Sequence, residues 1–249
     1  MSNLRFYSAE HLQVGTTIKL SDNAAGHATR VLRLEVSDEI VLFNGDGNDY
    51  ICAITSIKKN ETLAIVKSFV KVTNESPLNI TLLQGISSGD RMDYTIQKAV
   101  ELGVKNIVPI NTTRSVVKLS SERAEKRLAH WQSVVHAACE QSGRALVPLV
   151  AAPIDLSAWL ASNSHSNSTR ILLNPVGATR LAELPKPTGN IELRRIELLV
   201  GAEGGLSQAE IDAALSQGFK SILLGARILR TETAALVAIA AMQTIWGDF

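Results

Sequence analysis

Leu198-Leu199-Val200-Gly201-Ala202-Glu203-Gly204-Gly205-Leu206-Ser207 is the stretch that decides the fold. An apolar run of strand length enters three glycines within five residues. It leaves through Ser207, whose side chain suits the N-cap of a following helix. A strand that turns directly into a helix belongs to an α/β unit, and glycines at the turn let backbone approach a ligand closely. Open α/β sheets bind ligands beyond the carboxyl ends of their strands, where this turn falls. The pattern is not GxGxxG and lacks the Lys-Ser/Thr of a phosphate-binding P-loop, and Glu203 would repel a phosphate. A second turn of the same form spans Leu223 to Ala234. It has Gly225 at the strand end, apolar Ile228 and Leu229 within the loop, Thr231 as expected N-cap and Glu232 in the first helical turn. Read singly, each loop has a plainer account: a tight turn without a ligand, or a surface cluster of Arg227, Arg230 and Glu232. Read together, two loops from successive strands converge on one pocket.

Working outward, strands are expected at 80–83, 106–110, 170–173, 196–200 and 221–224, and helices at 91–102, 120–142, 208–217 and 231–246. Ser120 or Ser121 is the expected cap of the long helix, and 162–169 and 184–190 read as loops. This alternation predicts an α/β domain over 79–249 with a mainly parallel sheet. Before it, closely spaced β-branched runs at 17–20, 39–44, 50–57 and 63–70, with one short helix at 24–34, predict a small β-barrel domain over 1–72. Residues 73–78, polar and containing Pro77, form the expected linker.

Charge narrows the function. The chain has 249 residues, 25 Lys+Arg, 24 Asp+Glu and a net charge of +1, which excludes nucleic-acid binding by bulk attraction. Aromatic residues at 4% exclude an extended base-stacking platform. Residues 86–147 carry nine basic and six acidic side chains, the one segment with a clear basic excess, supplied mostly by Arg114, Lys118, Arg123, Lys126 and Arg127. Residues 148–249 carry eight basic and nine acidic side chains. Cys52 and Cys139 form neither CxxC nor a Cys/His cluster, so they are expected as reduced, buried thiols in a cytoplasmic protein without a metal. The N-terminus lacks the apolar core of a signal peptide. The apolar 231–246 segment is too short to span a bilayer and contains Gln243 and Thr244, so no membrane association is expected.

Further segments remain. Gln97, Lys98 and Glu101 share a helix face, as ordinary solvated residues often do. Glu140, Gln141 and Arg144 gather at a helix end, where Arg144 also compensates the dipole. Arg5-Phe6-Tyr7, with Arg30 and Arg33 three apart, matches residue types that grip phosphate and base. His27 alone reads as structural, and no Ser/His/Asp arrangement is present.

Over its whole length the chain resembles the bacterial 16S ribosomal RNA uracil-N3 methyltransferases, a branch of the SPOUT methyltransferases. The resemblance rests on Arg5-Phe6-Tyr7, Arg30-Val31-Leu32-Arg33, the Gln97 to Gly103 segment, Glu140 to Arg144, and most specifically Gly201 to Gly205 and Gly225 to Ala234. One departure is Ala202, where that family usually has Pro; it is expected to loosen the loop by roughly 0.4–1 kcal/mol. The resemblance implies a PUA-like barrel followed by a SPOUT domain with a C-terminal trefoil knot. It also implies a homodimer, S-adenosylmethionine as cofactor, and 16S rRNA or the small ribosomal subunit as partner. Carried over by position, it implies cofactor contacts from Leu173, Asn174, Leu199, Gly201, Glu203, Gly204, Gly205, Leu224, Gly225, Ile228, Leu229, Thr231 and Ala234. It implies catalytic roles for Arg230 and Glu232, and RNA contacts from Arg5, Arg30, Arg33, Lys98 and Arg144. A non-catalytic RNA-binding or ribosome-assembly module on the same fold is the alternative.

Overall fold

The structure, a computed structural model, describes residues 4–59, 61–115, 121–164, 167–176, 179–189 and 194–249. The chain forms two compact units. One comprises Met1–Glu75 with His136–Val147, the other Ser76–Val135 with Pro148–Phe249. Residues 136–147 thus group with the N-terminal unit although they follow the start of the second.

The first unit holds a five-stranded sheet of β1 (Arg5–Tyr7), β2 (Thr17–Lys19), β3 (Glu39–Phe43), β4 (Asn48–Lys58) and β5 (Glu61–Lys71). Their order is β1-β3-β4-β5-β2, antiparallel throughout except that β1 runs parallel to β3. Alternation decides which side chains enter the core: Tyr50, Cys52 and Ile54 of β4 meet Ala64 and Val66 of β5, with Phe6, Ile40 and Leu42. Two register shifts, at Ile51/Cys52 and Ile54/Ser56, bend β4 and raise its twist. β1 has too few residues to show a period, and the sequence reading missed it. The short helix expected at 24–34 is α1 (Asp22–Gly26), capped by Ser21, and then a π-helical turn over His27–Val31. The turn is left through Arg33 at φ +55°. Both cysteines are free and buried, and burial pushes the Cys52 thiol up to about 11 and that of Cys139 to about 12.

The second unit is built on β6 (Asn79–Gly85), β7 (Asn106–Asn111), β8 (Leu149–Val150), β9 (Ile154–Asp155), β10 (Thr169–Leu173), β11 (Arg195–Val200) and β12 (Lys220–Ile222). The order is β12-β10-β11-β6-β7, with both β8 and β9 on β7, and every pairing is parallel. A parallel sheet buried on both faces needs near-continuous apolar strands, and residues 196–200 supply one. The helices are α2 (Asp90–Glu101), α3 (Ser121–Ser142), α4 (Leu156–Ser162), α5 (Gln208–Ser216) and α6 (Thr231–Trp246). Ser120 and Lys118 lie outside the described residues, as do 165, 166 and 190 of the two expected loops. No helix among the described residues is long and apolar enough to cross a membrane. Gln243, polar within apolar α6, is buried because its amide donates to the Leu102 carbonyl at 2.8 Å and accepts from Ser76 Oγ at 2.9 Å.

Candidate functional site

Beyond the carboxyl ends of β10, β11 and β12 lies a cavity of about 670 Å³, within the usual range for a small-molecule site. β10 lies between β11 and β12, so the chain crosses over β10 after leaving β11 and returns on its far side. Such a change of direction opens a crevice between the loops that follow the strands.

The loop after β11 approaches the end of β6 so closely that no side chain fits between them. A Cβ on Gly85 would lie 2.3 Å from the Ala202 nitrogen. Gly205 turns at φ +67° and its N–H donates to the Ala202 carbonyl at 2.9 Å, closing the loop on itself. Ser207 then caps α5 as expected, in a reciprocal box with Glu210. Two carboxylates tie this loop outward. Glu203 Oε1 accepts from Ser88 N and Oγ, each at 3.0 Å, and from Arg91 Nη1 at 3.1 Å. Glu210 accepts from Thr113 N at 2.7 Å. Burial alone would raise the Glu203 carboxyl, but the Ser88 and Arg91 bonds outweigh it and hold the group below its ordinary value. Glu210 is lowered in the same way: the Ser207 and Thr113 bonds outweigh burial.

Thr231 does not cap α6. It is the first helical residue, and Arg230 stands at the cap position without a side-chain cap bond. The Thr231 hydroxyl donates to the Gly201 carbonyl and accepts from Gln84 Nε2. Gln84 is fully buried, and one Glu232 carboxylate oxygen is buried with no partner among the described residues.

Most residues expected to hold a cofactor line this cavity: Leu173, Asn174, Gly201, Glu203, Gly204, Gly205, Leu224, Gly225, Ile228, Leu229, Thr231 and Ala234, with Arg230 and Glu232. Leu199 does not. Its side chain is fully buried in the core with Leu83, Leu172 and Phe219 on one face of the sheet, while the next residue, Val200, at the strand end, lines the cavity. Ile228 lines the mouth but is 86% exposed, so it walls little by itself. Arg91 and Arg114, which line the cavity, were not anticipated. The signal for them was their position, just past β6 and β7, at the same sheet end as the two glycine loops.

Of the five residues expected to touch RNA, Arg30 and Arg33 are exposed. Lys98 is paired with Glu101 at 2.7 Å. Arg5 and Arg144 are corrected by the structure: both are buried and bound. Arg5 pairs with Asp49 at 2.5 Å, donates to the Cys139 carbonyl at 2.7 Å and lies 4.1 Å over the Phe43 ring. Arg144 pairs with Glu75 at 2.7 Å. Both guanidinium groups are engaged inside the folded chain. His27 meets the Phe6 ring edge-on at 5.7 Å, in keeping with a structural role.

Comparison with known proteins adds independent findings. Residues 74–243 match the family model of an RNA methyltransferase domain, and residues 20–67 that of an RNA methyltransferase PUA domain. A ribosomal RNA small subunit methyltransferase E of Buchnera aphidicola is 32% identical over 98% of this chain and 94% of its own. The crystal structure of the protein of that name from Neisseria gonorrhoeae, bound to S-adenosyl methionine, is 46% identical, with 98% of both chains covered and a TM-score of 0.89. A putative methyltransferase from Legionella pneumophila, in complex with the same cofactor, is 35% identical over the whole of both chains, with a TM-score of 0.92.

Proposed function

We propose that this chain, which belongs to the ribosomal RNA small subunit methyltransferase E family, methylates the N3 atom of one uridine in 16S rRNA of the small ribosomal subunit, with S-adenosylmethionine as donor. The observation that carries the reading is the convergence of three strand-end loops, after β10, β11 and β12, on one cavity. That cavity fits the cofactor. Its volume suits a nucleoside with an amino-acid arm. Gly201, Gly204, Gly205 and Gly225 place no side chain in the cavity, Leu224 and Leu229 supply apolar wall, and the unpartnered Glu232 oxygen offers an acceptor to a ligand donor. Bound there, S-adenosylmethionine supplies a methyl group on a positively charged sulfur, and no metal is required.

The chain's own residues supply the rest. N3 of neutral uracil carries a proton and faces a pairing partner, so the base enters the cavity unpaired. As the N3 proton leaves, negative charge spreads to O2 and O4, where the Arg230 guanidinium offers donors. Glu232, next in the chain but one, orients Arg230 or takes the proton. Arg30 and Arg33 of the PUA domain contact the RNA. In this reading the domains are 1–72 and 79–249, the strand-end loops form a trefoil knot, and the enzyme is a cytoplasmic homodimer. The exposed Val237 and Ile245 of α6 are available to a second copy.

The test is nucleoside mass spectrometry of ribosomal RNA from a strain lacking the gene. Loss of one 3-methyluridine, restored by the wild-type chain and not by Arg230→Ala, is expected. An unchanged methyluridine content overturns the assignment.

A further inference from the structure

We propose that Arg91 and Arg114 form a phosphate clamp at the cavity mouth, holding the RNA backbone beside the nucleotide that enters; this rests on the methyltransferase reading above. Both arginines are exposed and both line the cavity. They come from different places in the chain, Arg91 from the first turn of α2 and Arg114 from the loop after β7, and each is hinged to the same glycine loop. Arg91 donates through Nη1 to Glu203 at 3.1 Å, and Arg114 donates through Nη1 to the Gly204 carbonyl at 3.3 Å. The fit at Gly204 is tight, since a Cβ there would lie 2.9 Å from the Arg114 backbone carbonyl oxygen. A guanidinium has five N–H donors in a planar fork, so these single hinges leave donors on each side chain to face the opening.

Arg227 and Arg230 stand across the same mouth, which therefore carries four arginines against the two carboxylates of Glu203 and Glu232 among its described lining residues. This local excess is hidden in a chain of net charge +1. Arg230 is already assigned to the uracil oxygens and Arg91 spends one donor on Glu203, and the cofactor has one carboxylate, so Arg114, Arg227 and the remaining donors of Arg91 exceed what these two ligands accept. Phosphodiesters flanking an extruded base supply the missing negative charge, and the fork geometry of arginine matches phosphate oxygens in pairs. Because both hinges end on the loop 203–204, a seated backbone and a closed glycine loop reinforce one another.

The test uses the full chain as wild type, Arg91→Gln, Arg114→Gln, the double Gln variant and the two Lys variants. Affinity for S-adenosylmethionine is measured by calorimetry. Affinity for a uridine-containing single-stranded RNA is measured by anisotropy over about 50–200 mM salt. Each Gln variant is expected to lose roughly ten-fold in RNA affinity and clearly less in cofactor affinity, which reports only the loosened hinge on the loop 203–204. Its salt slope should become shallower by about 0.7 per arginine, while Lys retains the slope. An unchanged RNA affinity and slope in the double Gln variant overturns the clamp. So does a cofactor affinity that falls as far as RNA affinity, which would make the arginines braces of the loop. A wild-type chain that binds no S-adenosylmethionine would sink the methyltransferase reading separately, since the RNA salt slopes report on the clamp alone.

Discussion

Thr231 donates its hydroxyl proton to the Gly201 carbonyl at 2.5 Å while accepting from Gln84 Nε2 at 3.0 Å. One side chain therefore fixes the start of α6 to the loop after β11 and to the end of β6. Thr231→Val keeps the shape but leaves a carbonyl and an amide donor short of a partner. It should cost about 1–3 kcal/mol in denaturant unfolding and weaken cofactor binding, whereas Thr231→Ser keeps both close to wild type. Equal behaviour of Val and Ser would show that the hydroxyl is idle.

Close approach at the glycine loop predicts a ranking. Gly85→Ala sets a Cβ against the Ala202 backbone nitrogen, which cannot swing aside, and should be the most damaging alanine substitution here, at about 3 kcal/mol or more. Gly205→Ala meets open space and bears only the strain of its positive φ, about 1–2 kcal/mol. Thermal unfolding of the two variants checks the order.

Glu140 predicts a pH dependence. Its carboxylate accepts from the Tyr7 N–H at 2.9 Å, and burial raises its pKa despite that bond and the nearby His27 and Arg5. A raised folded-state value means that the native protein binds the proton more tightly than the unfolded chain. The contribution to stability is therefore complete below the ordinary carboxylate value of about 4.3 and is lost as pH rises through the higher folded value. Glu140→Gln keeps an acceptor for Tyr7 and should abolish this part of the decline, making stability flatter across the mildly acidic range. A wild-type profile that rises with pH there, and falls in the variant, would show the opposite sign.

Arg33 holds a left-handed conformation at φ +55°, which costs a residue with a Cβ about 1 kcal/mol. Arg33→Gly should leave melting temperature equal or higher while weakening RNA binding. Loss of both together would assign Arg33 to packing.

How much of this the sequence carried depends on range. The two strand-to-helix loops were legible because glycines and the change of period lie within a dozen residues, although only the first has the cap that was expected, Ser207 and not Thr231. So was the Ser207 cap of α5, although its reciprocal partner Glu210 was not read. β1, β8 and β9 were not, since two or three residues show no period, and α4 is barely two turns long. Leu199 looked like pocket wall because a strand buried on both faces is apolar throughout, and composition cannot say which residue faces the end of the sheet. Arg5 looked like an RNA contact because its partners are remote: Asp49 lies 44 residues away and the Cys139 carbonyl 134 residues away. Charge is visible locally, but pairing is not.

The two-segment make-up of the first unit bears on how the protein is born. Arg5 and Tyr7 emerge early, yet the Cys139 carbonyl, the Glu140 carboxylate and the His136 ring stacked 3.7 Å from Tyr7 come from residues 136–147. At roughly 5–20 residues per second of synthesis, these arrive about 4–14 s after Glu75. Until then the nascent sheet holds a buried-type arginine and an uncovered tyrosine. A fragment ending near residue 75 would stay in that unfinished condition, so the unit that reads as the most self-contained in the chain is completed only after residues 76–135 of the other have been made.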